Sequence, residues 1–367
     1  MKKAVERQSN FELLRIVAML FIICCHMMGH TIIPDIQNDL SSNAYIAVGF
    51  WIWGGMGVNC FTFISAWFLV NSDFRIQRPV NVWVKTWNYS IILMLLGAVL
   101  GLGNYGLGTY VSGALPVVLG EYWYATAWIG MVFISPLLNV AVKGLGKHRW
   151  KCLMIVFTIM LSVIPNFIPH LTWYSDLVWL AYCYILVGGI RIYKVRMPGI
   201  KKCASIFLIS FVLILLSVEA TLFLARNHEI LYKGLGYFSN RCVFIMLVCS
   251  MALFGVFKQL EIKYSRVINI FGGATFGIYL IHENAFVNEY IWNSLLQVKK
   301  FYGSNSGIFL LWILLLLVLC FFGCALIDIF MTSIIYKAIL KRGWYGRVCD
   351  KINRWYKGDG EDDRGGR

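Results

Sequence analysis

Within the stretch ELLRIVAMLFIICCHMMGH near the N-terminus, three ionisable side chains stand out inside the apolar run: Glu12, Arg15 and His26. Arginine is a permanent cation suited to phosphate and carboxylate groups. Histidine is the side chain best matched to taking a proton near neutral pH. Arg15 and His26 are eleven residues apart, close to three helical turns, so both project from one face of a helix. His26 then lies about 16 Å along the axis from Arg15. Glu12 falls one turn below Arg15 on much the same face, where the two can pair. One reading makes this stripe a site. The other has Arg15 snorkelling to the headgroups and His26 bonding a neighbouring helix.

The elements that must hold this stripe follow from composition. Of 367 residues, 59% are hydrophobic and 14% charged, against about 45–50% and about 25% in soluble domains. A soluble globule of this length cannot hide so much apolar surface, so the sequence implies an all-α integral membrane protein. The formal charge of +15 could suggest nucleic acid, but the basic residues sit in short clusters between apolar runs, a topological pattern. No nucleic-acid partner is expected. The eleven cysteines show no CxxC pair and no Cys/His zinc spacing, so neither a disulfide framework nor a metal is expected. The first run lacks an A-x-A cleavage signal and reads as a retained span.

Runs of about 20 apolar residues place about ten transmembrane helices near 11–33, 45–70, 86–103, 122–142, 152–169, 176–193, 203–225, 241–257, 267–287 and 307–336. The stretch 104–120 reads as a loop or re-entrant segment. Cytoplasmic connections collect Lys and Arg, and 27 of the 33 such residues fall in one alternate set of connections. That set includes Arg75, Arg78 and Lys85. Only Arg226, Lys233, Arg241, Lys299 and Lys300 fall in the other, and Arg15 lies inside the first span. Both termini are therefore expected in the cytoplasm, with residues 1–340 forming the polytopic domain. Residues 341–367 form a basic, then polar, partly disordered cytoplasmic tail.

Several stretches resemble one family in order. Arginine, ten intervening residues and histidine in the first span resemble the signature of the acyltransferase-3 family, bacterial membrane enzymes that O-acylate cell-surface glycans. GMGVNCFTFISAWFLV, from Gly55, is similar to that family's glycine-hydrophobic-phenylalanine run ending in Ser-Gly, but Ala66 stands where glycine is usual. Phe74, Arg75 and Arg78 resemble its basic loop motif. EYWYATAWIGMVFISPLLN, from Glu121, resembles its Trp-Tyr-containing fourth span, and FGIYLIH, ending at His282, its penultimate span. The resemblance covers roughly residues 8 to 335. Many members carry an extracytoplasmic esterase-like domain; from the length of this chain none is expected here.

The resemblance implies a cell-membrane acyltransferase, most often an O-acetyltransferase. Its donor would be cytoplasmic acetyl-CoA or another acyl-CoA, used as co-substrate with no permanently bound cofactor. Its acceptor would be a surface or lipid-linked glycan hydroxyl. CoA is polyanionic, so Arg15, Arg75 and Arg78 are candidate donor ligands, although Arg75 and Arg78 also satisfy simple positive-inside topology. His26 is the candidate base, with Arg15 beside it in the catalytic set; direct transfer and an acyl-enzyme relay stay open. Glu121, Trp123 and His282 are candidates for the acceptor side, with an interfacial belt as the other reading for Trp123. Asn59 and Ser65 read as packing residues. His30, His148, His170 and His228 have no assigned role. The alternatives from other classes are a multi-span transporter or lipid-linked glycan flippase, without the broken-helix repeats often seen in transporters, and a structural scaffold.

Overall fold

The structure, a computed structural model, describes residues 8–103, 105–168, 175–226, 228–335 and 343–358. The described secondary structure is entirely helical. In chain order the helices are α1 (Ser9–Gly29), α2 (Ser42–Trp51), α3 (Gly54–Leu69), α4 (Gln77–Val99), α5 (Leu107–Ala114), α6 (Trp123–Gly144), α7 (Lys147–Thr158) and α8 (Ile164–Phe167). They continue as α9 (Asp176–Ile192), α10 (Ile200–Ala225), α11 (Glu229–Lys233), α12 (Phe244–Gln259), α13 (Arg266–His282), α14 (Ser306–Ile335) and α15 (Gly343–Lys357).

Eight helical segments among the described residues have the length and apolarity to cross a membrane, against the sequence expectation of about ten. The two that differ are α9 and α13, each of 17 residues, or about 26 Å of rise. Both occupy expected positions. Many large apolar side chains face outward, as Leu311, Leu319 and Phe330 do on α14 and Leu208, Ile209 and Leu216 on α10. Lipid satisfies such surfaces, and helices satisfy their own backbone groups there. All eleven cysteines are free thiols.

Three expectations change. Span 86–103 begins earlier, at Gln77, because Lys85 is not a loop cation. Its Nζ lies 2.7 Å from Asp328 Oδ1 on α14, and this neutralising partner lets a lysine sit within a span. Segment 104–120 contains the short helix α5, although residue 104 lies outside the described residues. The tail contains α15, whose Asn353 Oδ1 accepts the Ile76 N–H at 3.0 Å. The remainder of the tail, 341–342 and 359–367, lies outside the described residues, as do Lys2, Lys3, Arg7 and His170.

Contacts sort the helix ends into two groups. At one end, Ser9 on α1 bonds Asn269 on α13, Asn10 reaches the Phe257 carbonyl on α12, and Arg191 on α9 reaches Trp67 on α3. At the other, His30 meets Glu283, Asn43 reaches the Tyr302 carbonyl, and Arg241 pairs with Asp176. α1 is central and packs against α2, α3, α12, α13 and α14. Glycine permits the closest approaches: a Cβ at Gly57 would stand 2.6 Å from the Ala18 carbonyl oxygen.

The Lys85–Asp328 pair fills space that only glycine leaves. A Cβ at Gly277 would stand 1.8 Å from Asp328 Oδ1, and Tyr89 also donates to that oxygen at 2.7 Å. Breaking a buried pair costs about 3–5 kcal/mol, because one charge is left uncompensated. Lys85→Ala and Asp328→Ala are each expected to lower the unfolding midpoint in detergent by several degrees. The double variant should lose less than the sum of the two. Strict additivity in fluorescence-detected melts would refute the coupling.

Candidate functional site

α1 carries Arg15 and His26 into one cavity of about 410 Å³. Its walls come from α1, α3, α4, α6 and α13 together with the segment before α12. They include Val58, Trp123, Tyr124, Arg241, Gly273 and Tyr279. The expected common face is thus the wall of a real space between helices. Near its base, Arg15 Nη1 lies 2.6 Å from Glu12 Oε1. Gly272 of α13 makes room for this pair, since a Cβ there would stand 2.6 Å from Glu12 Oε2.

His26 is fixed by the end of α13. Its Nδ1 lies 2.9 Å from Glu283 Oε2 and 3.0 Å from His282 Nε2. His282 Nδ1 lies 2.6 Å from the Ile278 carbonyl oxygen, which can only accept, so His282 carries its proton on Nδ1 and presents a bare Nε2. His26 must then hold its own proton on Nδ1, facing two acceptors. In the neutral ring Nε2 is then a lone pair, and His26 lines the cavity. A carboxylate on the far side of an imidazole fixes the tautomer and stabilises the cation formed when the ring takes a proton. His30 Nε2 adds a second contact to Glu283 Oε2, at 3.0 Å.

The other expected site residues are distributed as follows. His282 is fully buried, so it has no surface to offer an acceptor; its place is behind His26, against Trp292. Trp123 lines the cavity and carries the Arg241 guanidinium at 4.3 Å from its ring centre. Glu121 does not line the cavity, but burial, and then the Glu283 charge, hold its carboxyl above the usual carboxylate range. Arg75 and Arg78 do not line it either. Arg75 lies in the turn entering α4 and Arg78 in the first turn of α4, where Arg78 Nη1 donates to the Asp73 carbonyl at 2.8 Å.

Sequence reasoning missed Glu283 and Arg241 as site residues and gave His30 no role. Glu283 follows His282 directly, but its partner on α1 is more than 250 positions away and nothing local marks the pairing. Ser65, read as packing, lines the cavity and accepts from Trp128 Nε1 at 3.0 Å. Asn59 bonds the Arg241 carbonyl at 2.9 Å, as a packing residue should.

Spacing along the chain showed no metal set, yet the fold brings one together. Ligand atoms of His26, His282 and Glu283 lie within 4.8 Å of one another. A divalent transition ion there would take the His26 Nδ1 lone pair and push the remaining ring proton onto Nε2. Nε2 would change from acceptor to donor. Added Zn²⁺ is therefore expected to suppress any chemistry that needs His26 as a base, with recovery on chelation. Transfer rates in washed membranes, unchanged by Zn²⁺, would refute this.

The chain was compared with known families and proteins. The family model described as "Acyltransferase domain", of the acyltransferase-3 type, matches residues 8–331. No curated protein and no solved structure matches the chain. The matched stretch takes in α1 through most of α14, and with them every cavity-lining residue. With nearly its whole length covered, the chain belongs to the acyltransferase-3 family and is a membrane acyltransferase.

Proposed function

We propose that the protein moves an acyl group, acetyl in the simplest case, from cytoplasmic acyl-CoA to a glycan hydroxyl on the far side of the membrane. The observation that carries this reading is the single cavity joining Arg15 to a histidine whose Nδ1 is held by Glu283 and His282. His26 Nε2 accepts the hydroxyl proton as the hydroxyl oxygen bonds to the thioester carbonyl carbon. The carbon–sulfur bond then breaks, and the thiolate takes the proton back from His26 and leaves as free CoA. Glu283 stabilises the transient imidazolium.

The donor side is the Arg15 end. Arg15 is a fixed cation inside the cavity, and Arg75 and Arg78 supply further positive charge around the start of α4. This end shares its elements with the Lys/Arg-rich connections, which supports cytoplasmic termini by the positive-inside rule. The opposite end carries Trp123 and Arg241 at the cavity wall, an aromatic face and a cation for a sugar acceptor. The location that follows is the cell membrane.

Two variants separate the roles. His26→Ala is expected to cut kcat by about 10²–10⁴-fold, the usual contribution of a positioned base. Arg15→Gln is expected to raise the KM for acyl-CoA more than it lowers kcat. Both are read from free-thiol release and base-labile ester formation on surface glycan, at matched membrane levels. Full activity of His26→Ala would end the base assignment. Glycan export lost with acylation intact would favour a flippase.

Glu283→Gln keeps the shape of the His26 contact but removes its charge. It is expected to lower kcat by at least about tenfold while leaving the acyl-CoA KM near its starting value. A pure KM effect would place Glu283 in donor binding instead.

A further inference from the structure

α15 presents three distinct sides. One is turned to the protein: Tyr345 bonds Asn81, Asn353 Nδ2 donates to Gln77 at 2.8 Å, and Tyr356 packs on Phe74 with ring centres 5.0 Å apart. Tyr345 and Cys349 are buried by this contact. The second side is apolar and uncovered. Trp344, Val348, Ile352 and Trp355 recur at spacings of four, four and three and fall within about 80° of arc. Trp355 is 79% exposed and Trp344 49%. The third side carries Arg347, Lys351, Arg354 and Lys357, with Asp350 as the one acid among these residues.

We propose that α15 is a lipid-recognition helix, seated on the anionic surface of the leaflet at the Arg15 end, and that lipid binding there orders the turn bearing Arg75 and Arg78. Three observations favour lipid as the occupant. The helix begins eight positions after the end of α14, a span, and it docks on the head of α4, another span, so its uncovered side lies at membrane-surface level. Tryptophan beside aliphatic residues, flanked by a row of lysine and arginine, suits the boundary between acyl chains and phosphate headgroups. The net charge of the exposed sides is positive, complementary to anionic phospholipid. The turn responds because Asn353 holds both the Ile76 N–H and Gln77, and Arg75 and Arg78 flank these two residues. The leaflet assignment rests on the orientation proposed above; the lipid contact does not depend on acyl transfer.

The test is hydrogen–deuterium exchange on the full-length protein in nanodiscs of phosphatidylcholine alone or of phosphatidylcholine with phosphatidylglycerol. Peptides spanning 343–358 and 73–81 are expected to exchange about tenfold more slowly with the anionic lipid. The quadruple variant Arg347→Gln, Lys351→Gln, Arg354→Gln, Lys357→Gln is expected to lose that difference. Equal exchange of the wild-type protein in the two lipids would overturn the proposal without any variant having to fold. Protection that appears only on adding CoA would also overturn it, assigning the basic side to the donor. Because the readout is exchange, an inactive protein with lipid-dependent protection would count against the acyltransferase chemistry and not against this inference.

Discussion

A polar side chain placed among apolar helices must find its partners in the protein, because lipid offers none. That constraint organises the centre of this molecule. His26 sits on a helix packed against five others, and the end of α13 meets its Nδ1 with two acceptors. Satisfying Nδ1 is a matter of stability. Leaving Nε2 bare on a ring that lines a cavity is a matter of chemistry. The same contact does both, because a neutral imidazole has one proton, and fixing it on one nitrogen determines the state of the other.

The other polar groups within the spans follow the same rule and bind particular helices together. Glu12 pairs with Arg15 within α1 and reaches α13 through the space left by Gly272. Lys85 and Asp328 join α4 to α14 beneath Gly277 of α13. Each arrangement needs a glycine on α13, so this short helix is tailored along its length to the charges of its neighbours. Its 17 residues end at His282, and Glu283 follows at once. The geometry around His26 therefore depends on where α13 stops as well as on what it contains.

Part of this was legible in the sequence. The Arg15–His26 stripe could be read because an eleven-residue spacing matches the helical period whatever else the chain does. Most spans could be read because apolar length is a local property. The start of α4 could not, because Asn81 and Lys85 break the apolar run and Lys85 resembles a loop cation until Asp328 is seen beside it. Glu283 was hidden for a similar reason, since a carboxylate just past the last apolar residue looks interfacial until α13 is packed on α1. α15 is a different case. Its apolar period was present in the sequence at 344, 348, 352 and 355, but the charged residues between lowered the hydropathy and gave the segment the appearance of a polar tail.

The cavity also explains why a cation stands near each end of it. Arg15 lies about three turns below His26 on α1, whereas Arg241 approaches from the segment before α12 and stacks on Trp123. Both cations are already neutralised, by Glu12 and by Asp176 respectively. That compensation allows them to stay beside a largely apolar space before any ligand arrives. It also keeps either from acting as a permanent counter-ion that would trap a polyanion. If the donor is the acyl-CoA proposed above, leaving as free CoA after each turnover, it is better served by a paired arginine than by an isolated one. Affinity beyond that needed for positioning lowers KM without raising kcat.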